Sequence, residues 1–137
     1  MQFNQELTSG SYTIRSYSNG KISISAPVTQ TAAKPQDQTS LDVITTSFIM
    51  TPSQLIRNWP PQSVAEICAE HLMLIADLAP QVVLLGTGDT LEFPNMKLTY
   101  QLMEQGIGVE VMDSAAACRT YNVLMLEGRK VAIALVL

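Results

Sequence analysis

The spacing of apolar positions changes character along the chain. Near the N-terminus, Tyr12–Ser18 and Lys21–Ser25 alternate apolar with polar residues on either side of Asn19-Gly20. Asn-Gly between alternating segments predicts a β-hairpin, because a type I′ turn needs positive φ at both central residues. Thr31–Ser40 is polar, holds one Pro and reads as a loop. Leu41–Met50, rich in Val, Ile, Thr and Phe and stopped by Pro52, reads as one strand. Asn58-Trp59-Pro60-Pro61 reads as extended, since a residue before Pro is pushed out of the α region.

From Ser63 the period lengthens. Val64, Ile67, Cys68, His71, Leu72, Ile75 and Ala76 recur at threes and fours, predicting an amphipathic helix ended by Pro80. Val82–Leu85 is a short apolar run closed by Gly86, the pattern of a strand covered on both faces. A second helix is predicted from about Asn95, its N-cap, to Glu104, with Gly106 as the stop. Gly108–Met112 reads as a strand. Asp113 or Ser114 then caps a third helix, Ala115–Glu127, stopped by Gly128, and Val131–Leu137 is a last strand. The order from residue 41 is β, α, β, α, β, α, β. That alternation implies an α/β fold with a largely parallel sheet, the hairpin packing as an added β element.

Composition narrows the function classes. Of 137 residues 47% are hydrophobic and 15% charged, and the formal net charge is −4. Hydrophobic residues concentrate in 41–137, which forms the alternating core of one domain; 1–40 supplies the hairpin and polar loop. Disorder is excluded for most of the chain. No apolar run reaches the ~18 residues of a membrane span. An acidic chain lacks the basic footprint that a nucleic acid requires. The N-terminus has no basic or apolar leader pattern, so a cytoplasmic protein is expected. Two cysteines, Cys68 and Cys118, do not make a disulfide scaffold.

Few residues are left to carry chemistry. Gly86-Thr87-Gly88-Asp89 leaves a buried strand at the carboxyl edge of the sheet, where α/β folds bind ligands. The dinucleotide fingerprint fails at Leu91, and no Gly-Lys-Ser/Thr follows, so a tight turn is the simpler reading. Asp113–Asn122 is the most unusual stretch. Its alanines permit close approach of another element, and Arg119 either holds an anion or clamps Asp113, Asp89 or a strand carbonyl. The candidate cleft is therefore Gly86, Thr87, Gly88, Asp113, Arg119, Thr120 and Asn122. His71 beside Cys68 is read as packed or polar-capped, because one His and two Cys make a poor metal set. Cys118 reads as a small core residue. Asp89, Glu92, Glu110, Asp113 and Glu127 match no metal or catalytic spacing. No cofactor, metal or catalytic residue is expected. The apolar terminal strand leaves a homodimer contact open.

Leu84-Leu-Gly-Thr-Gly88, Phe93-Pro94, Gly106–Asp113, Ala116-Ala-Cys-Arg-Thr-Tyr-Asn122 and Glu127–Ala132 carry a family resemblance that extends over most of the chain. In these motifs the chain resembles a domain of unknown function shared by bacterial and archaeal proteins, the mitochondrial complex I assembly factor 3 and the adipogenesis-associated domain protein of animals. The resemblance implies a three-layer β+α/β/α fold around a central mixed sheet, with no established catalytic residues. It also implies a bacterial member acting as a non-enzymatic interaction or assembly protein with protein partners. The alternative is an anion-binding or catalytic site at the Gly86-Thr87-Gly88 and Arg119 edge.

Overall fold

Strict alternation along two buried strands organises the molecule. The computed structural model describes residues 10–18, 20–27 and 41–137. Asn19 and the segment read as a loop, 31–40, lie outside the described residues. Strand β6 (Val82–Gly86) and strand β8 (Val131–Leu135) are buried at every position. Val82, Leu84, Val131, Ile133 and Leu135 point into one core, while Val83, Leu85, Ala132 and Ala134 point into a second core on the opposite face. One chain period of two thus builds both sides of the sheet.

The central sheet has the order β5-β4-β8-β6-β7, with β4 Phe48–Met50, β5 Leu55–Ile56 and β7 Gly108–Met112. Its β6 runs parallel to β7 and β8, and β4 runs antiparallel to both β5 and β8. The sheet is therefore mixed. One face carries helices α1 (Ala69–Asp77) and α2 (Met96–Glu104), with Leu72, Ile75 and Leu102 inserted beside the buried Trp59. The other face carries α3 (Ser114–Leu126), which presents Ala117, Cys118, Tyr121 and Met125 to the core. A second sheet, β1 (Thr13–Ser18), β2 (Lys21–Ser25) and β3 (Leu41–Ile44), adds Ile14, Ile22, Ile24 and Ile44 to that same core. The expected three-layer arrangement with an N-terminal hairpin is what the chain adopts, and Gly20 sits in its turn at φ +76°.

Three local expectations need correction. Leu41–Met50 is two strands in different sheets: β3 extends the hairpin, and β4 enters the central sheet. A run of β-branched residues shows strand propensity but not the bend at Thr45–Ser47 that changes its partner. The apolar period from Val64 is also interrupted. Val64–Glu66 is one 3₁₀ turn, Ile67 and Cys68 are extended, and the α-helix starts at Ala69. Asn58 adopts φ +59°, a left-handed conformation that Asn tolerates, so the segment before Trp59 turns rather than running straight. No helix among the described residues is long and apolar enough to cross a membrane.

Candidate functional site

The carboxyl edge of β6 is a junction closed by backbone and hydroxyl groups. Gly86 lies under the first turns of α3: a Cβ there would clash with Leu135 Cδ2 and stand 3.0 Å from Ser114 Oγ and 3.3 Å from Ala117 Cβ. Glycine is required because the buried Leu135 side chain of the neighbouring strand occupies the place of a Cβ, with the helix close above it. The next residue, Thr87, is buried, and its hydroxyl donates to the Thr90 carbonyl at 2.7 Å and accepts from Glu92 N–H at 3.2 Å. Thr87 N–H also bonds the Met112 carbonyl at 3.0 Å, tying the loop to the end of β7. Gly88, at φ +97°, exchanges two hydrogen bonds with the buried Ser114. Its N–H donates to Ser114 Oγ at 2.8 Å, and its carbonyl accepts from Ser114 N–H at 2.9 Å.

Asp113 caps α3. Its Oδ1 accepts from Ala116 N–H at 2.9 Å, which satisfies one of the free donors of a helix start. Thr87, Gly88, Asp113 and Ser114 therefore converge, and the bonds among them are ones that fix the loop to the helix.

The second half of the predicted cleft separates by role. Arg119 is exposed and forms no ion pair among the described residues. Thr120 is half-buried beside it. Asn122 reaches the hairpin instead. Its Oδ1 accepts from Ile14 N–H at 3.0 Å, and its Nδ2 donates to the Ile14 carbonyl at 2.7 Å. The pairing of β1 with β2 shifts register between Ile14 and Ser16, so the Asn122 amide meets β1 where a bulge interrupts the ladder. Fully buried Tyr121 adds a bond from its hydroxyl to the Tyr12 carbonyl at 2.8 Å. Burial pushes the pKa of that phenol upward. The Tyr-Asn pair is thus a two-residue clasp holding the hairpin on α3.

Other groups weighed for chemistry have structural partners. Cys68 is the N-cap of α1, exposed rather than on a packing face, and His71 Nδ1 accepts from Cys68 N–H at 3.1 Å. The two side chains close a capping box, with Sγ 3.5 Å from Nδ1. Cys118 is buried, and burial pushes its thiol up to about 12, Arg119 opposing the shift. That thiol stays protonated at neutral pH. Tyr17 donates to Asp89 Oδ1 at 2.6 Å, and burial followed by this carboxylate pushes its phenol up to about 12. This link between hairpin and Gly86–Asp89 loop spans 72 residues of sequence. Among the described residues, no three His, Cys, Asp or Glu side chains group closely enough to hold a metal ion.

A concavity lies at the opposite end of the sheet, where β8 begins. It has a volume of about 780 Å³ and is lined by the turn after β4, the segment between α1 and β6, and the segment between α3 and β8. Sequence reasoning missed it. The adjacent cations Arg129 and Lys130 were its visible signal, but after a helix end such residues ordinarily offset the dipole.

A mixed sheet with two helices on one face, and a helix plus a three-stranded sheet on the other, defines a small β+α/β/α class of protein. Within that class, the chain belongs to the family described as a protein of unknown function (DUF498/DUF598), which matches residues 14–136. It is similar to a Bordetella parapertussis protein of known crystal structure, with a TM-score of 0.74 and 34% identity over 92% of this chain and 95% of that one. It is 40% identical over 83 residues to NADH dehydrogenase [ubiquinone] 1 alpha subcomplex assembly factor 3 of Danio rerio, covering 59% of this chain and 48% of that protein. It is also 37% identical over 68 residues to the 13 kDa major membrane protein of Francisella tularensis, covering 50% and 55% respectively. The chain spans about half the length of the curated relatives it matches.

Proposed function

We propose that this chain works as an assembly-factor-like protein, binding another protein rather than turning over a substrate. Similarity to assembly factor 3 supports a role of that kind. The observation that carries the reading is an unpaired apolar face beside the carboxyl edge of the sheet. Phe93 is 73% exposed, and Met96 and Tyr100, one turn apart on α2, are 80% and 60% exposed. Leu91 and Met103 extend the same run. Large exposed side chains in a contiguous stripe mark interaction surfaces, and methionines adapt such a surface to its partner.

The alternative, an anion site at Gly86-Thr87-Gly88, has exposed Arg119 in its favour. Against it, the hydroxyls of Thr87 and Ser114, the Gly88 N–H and one Asp113 oxygen already bond one another's segments.

The test is a native pull-down with the wild-type chain and the triple variant Phe93→Ser, Met96→Gln, Tyr100→Ser. The reading expects a stoichiometric protein recovered by the wild type and lost in the variant, with thermal unfolding unchanged because these side chains bury little. Recovery of no stoichiometric protein by the wild type, or equal recovery by both, overturns it.

A further inference from the structure

We infer that the cleft at the amino edge of the parallel strands is a binding site for a small amphipathic carboxylate. Its volume of about 780 Å³ falls in the range of roughly 300–1,000 Å³ typical of ligand pockets. Pro52, Leu78, Met125 and Val131 give it apolar walls, and among the described residues Arg129 and Lys130 are the only charged ones that line it. A cleft with apolar walls, neutral polar groups at Thr51 and Gln54, two cations and no carboxylate among its described lining residues fits a ligand with an apolar body and an anionic head. The guanidinium fork matches a carboxylate in particular, since it can donate two parallel bonds to it. Neither cation forms an ion pair among the described residues.

The backbone around the cleft supports the assignment. Ala79, another lining residue, holds φ +51° without being glycine, a conformation that costs an L-residue of order 1–2 kcal/mol. It follows the end of α1 and precedes Pro80, so the chain is turned sharply at the cleft wall. A left-handed residue just after the C-cap is a common helix ending, and here Ala79 N–H bonds the Ala76 carbonyl at 2.9 Å, which fixes this wall. The opposite wall is equally fixed: Arg129 N–H bonds the Leu124 carbonyl at 3.0 Å, and Gly128 N–H bonds the Met125 carbonyl at 3.0 Å. Gln81 and Lys130 then join the two walls, with Gln81 N–H donating to the Lys130 carbonyl at 2.7 Å. Such a cleft is preorganised, and a ligand entering it orders little further chain. The described lining of the site includes no residue of the α2 face, and the site does not depend on the protein-binding reading.

The experiment is an amide chemical-shift titration of the full chain with decanoate and with 2-naphthoate, which offer a linear and a planar apolar body. Decan-1-ol and 2-naphthol serve as uncharged counterparts. Saturable shifts are expected for at least one carboxylate, confined to residues around 51–54, 78–81 and 125–131. The matching alcohol should bind roughly ten-fold more weakly, and so should the carboxylate to the double variant Arg129→Gln, Lys130→Gln. Both replaced side chains are exposed, so that variant keeps its fold, and its unshifted amides elsewhere verify this. If neither carboxylate gives saturable, localised shifts at millimolar concentration, the site is refuted. Equal affinity for acid and alcohol, or for wild type and double variant, refutes the anionic head.

Discussion

Removing the Asn122 amide should loosen the hairpin from the rest of the molecule. In Asn122→Ala the Ile14 N–H and carbonyl both lose their side-chain partner. Each net hydrogen bond is worth about 1 kcal/mol, and a backbone group left dry costs up to ~3 kcal/mol. Both bonds are part-buried, so water reaches the site incompletely and the expected loss is ~2–4 kcal/mol. For a chain of 137 residues, 1 kcal/mol corresponds to roughly 3–4 °C in Tm, so the midpoint should fall by about 7–14 °C. Urea unfolding gives the free energy, and hydrogen exchange at Ile14 gives the location. A second variant separates donor from acceptor. N122D keeps an oxygen for the Ile14 N–H but sets another against the Ile14 carbonyl, so at neutral pH it should gain little over N122A. Near pH 4, where a carboxyl begins to protonate and can donate again, N122D should rise relative to N122A. An N122A protein within ~0.5 kcal/mol of the wild type, with the Ile14 amide still protected, would refute the clasp.

Tyr121→Phe keeps the buried ring and removes only its bond to the Tyr12 carbonyl, so it should cost ~1 kcal/mol in urea unfolding. Gly86→Ala forces the buried Leu135 side chain out of place and should lose ~1–3 kcal/mol, measured the same way. Ser114→Ala strips the acceptor from Gly88 N–H and should cost ~1–2 kcal/mol while raising exchange of that amide. Tyr17 has a folded pKa of about 12, above its ordinary 10.0, so the folded state holds its proton more tightly. Its contribution is complete below pH 10 and is lost as pH rises toward 12. Asp89→Asn should lower the Tyr17 midpoint in an ultraviolet absorbance titration, and an unmoved midpoint would leave burial as the whole cause.

What the sequence disclosed depended on how local each determinant is. Asn95 was readable as an N-cap, and Asp113 as one of two candidates beside Ser114, because a cap is decided within three residues: each side chain accepts from an N–H two or three positions on. That β6 is covered on both faces was readable from its continuous apolar run. The division of Leu41–Met50 between two sheets was not, since Ile24↔Asp42 and Ile49↔Ala134 are pairings with distant strands. The break before Ala69 escaped for a related reason. Ile67 keeps its place in the apolar series while lying outside the helix, because its side chain enters the core from an extended backbone. Of the predicted cleft, Thr87, Gly88 and Asp113 do meet. The Asn122 bonds to Ile14 cross 108 residues, and nothing near Asn122 in sequence names that partner.

The two edges of the central sheet differ in a way that bears on function. In open α/β sheets the carboxyl ends of the strands ordinarily supply the crevice. Here the loop after β6 folds onto Ser114 at its own helix start, and the Tyr17–Asp89 bond draws the hairpin to the same place. Residues in Gly-Thr-Gly and in Ala-Cys-Arg-Thr-Tyr-Asn therefore have structural roles: close packing at Gly86, loop bonds at Thr87 and Gly88, and the clasp at Tyr121 and Asn122. A motif can stand out in sequence because it assembles the fold, so distinctiveness alone is no pointer to chemistry. The surfaces left unengaged are then the informative ones. They are the apolar face of α2 and the amino-edge cleft, where Arg129 and Lys130 are set among Pro52, Leu78 and Met125. Neither belongs to the glycine-rich turn or the Tyr-Asn clasp. Their exposed side chains, Phe93, Met96, Tyr100, Arg129 and Lys130, can be changed at little cost to the core, which separates a test of function there from a test of stability.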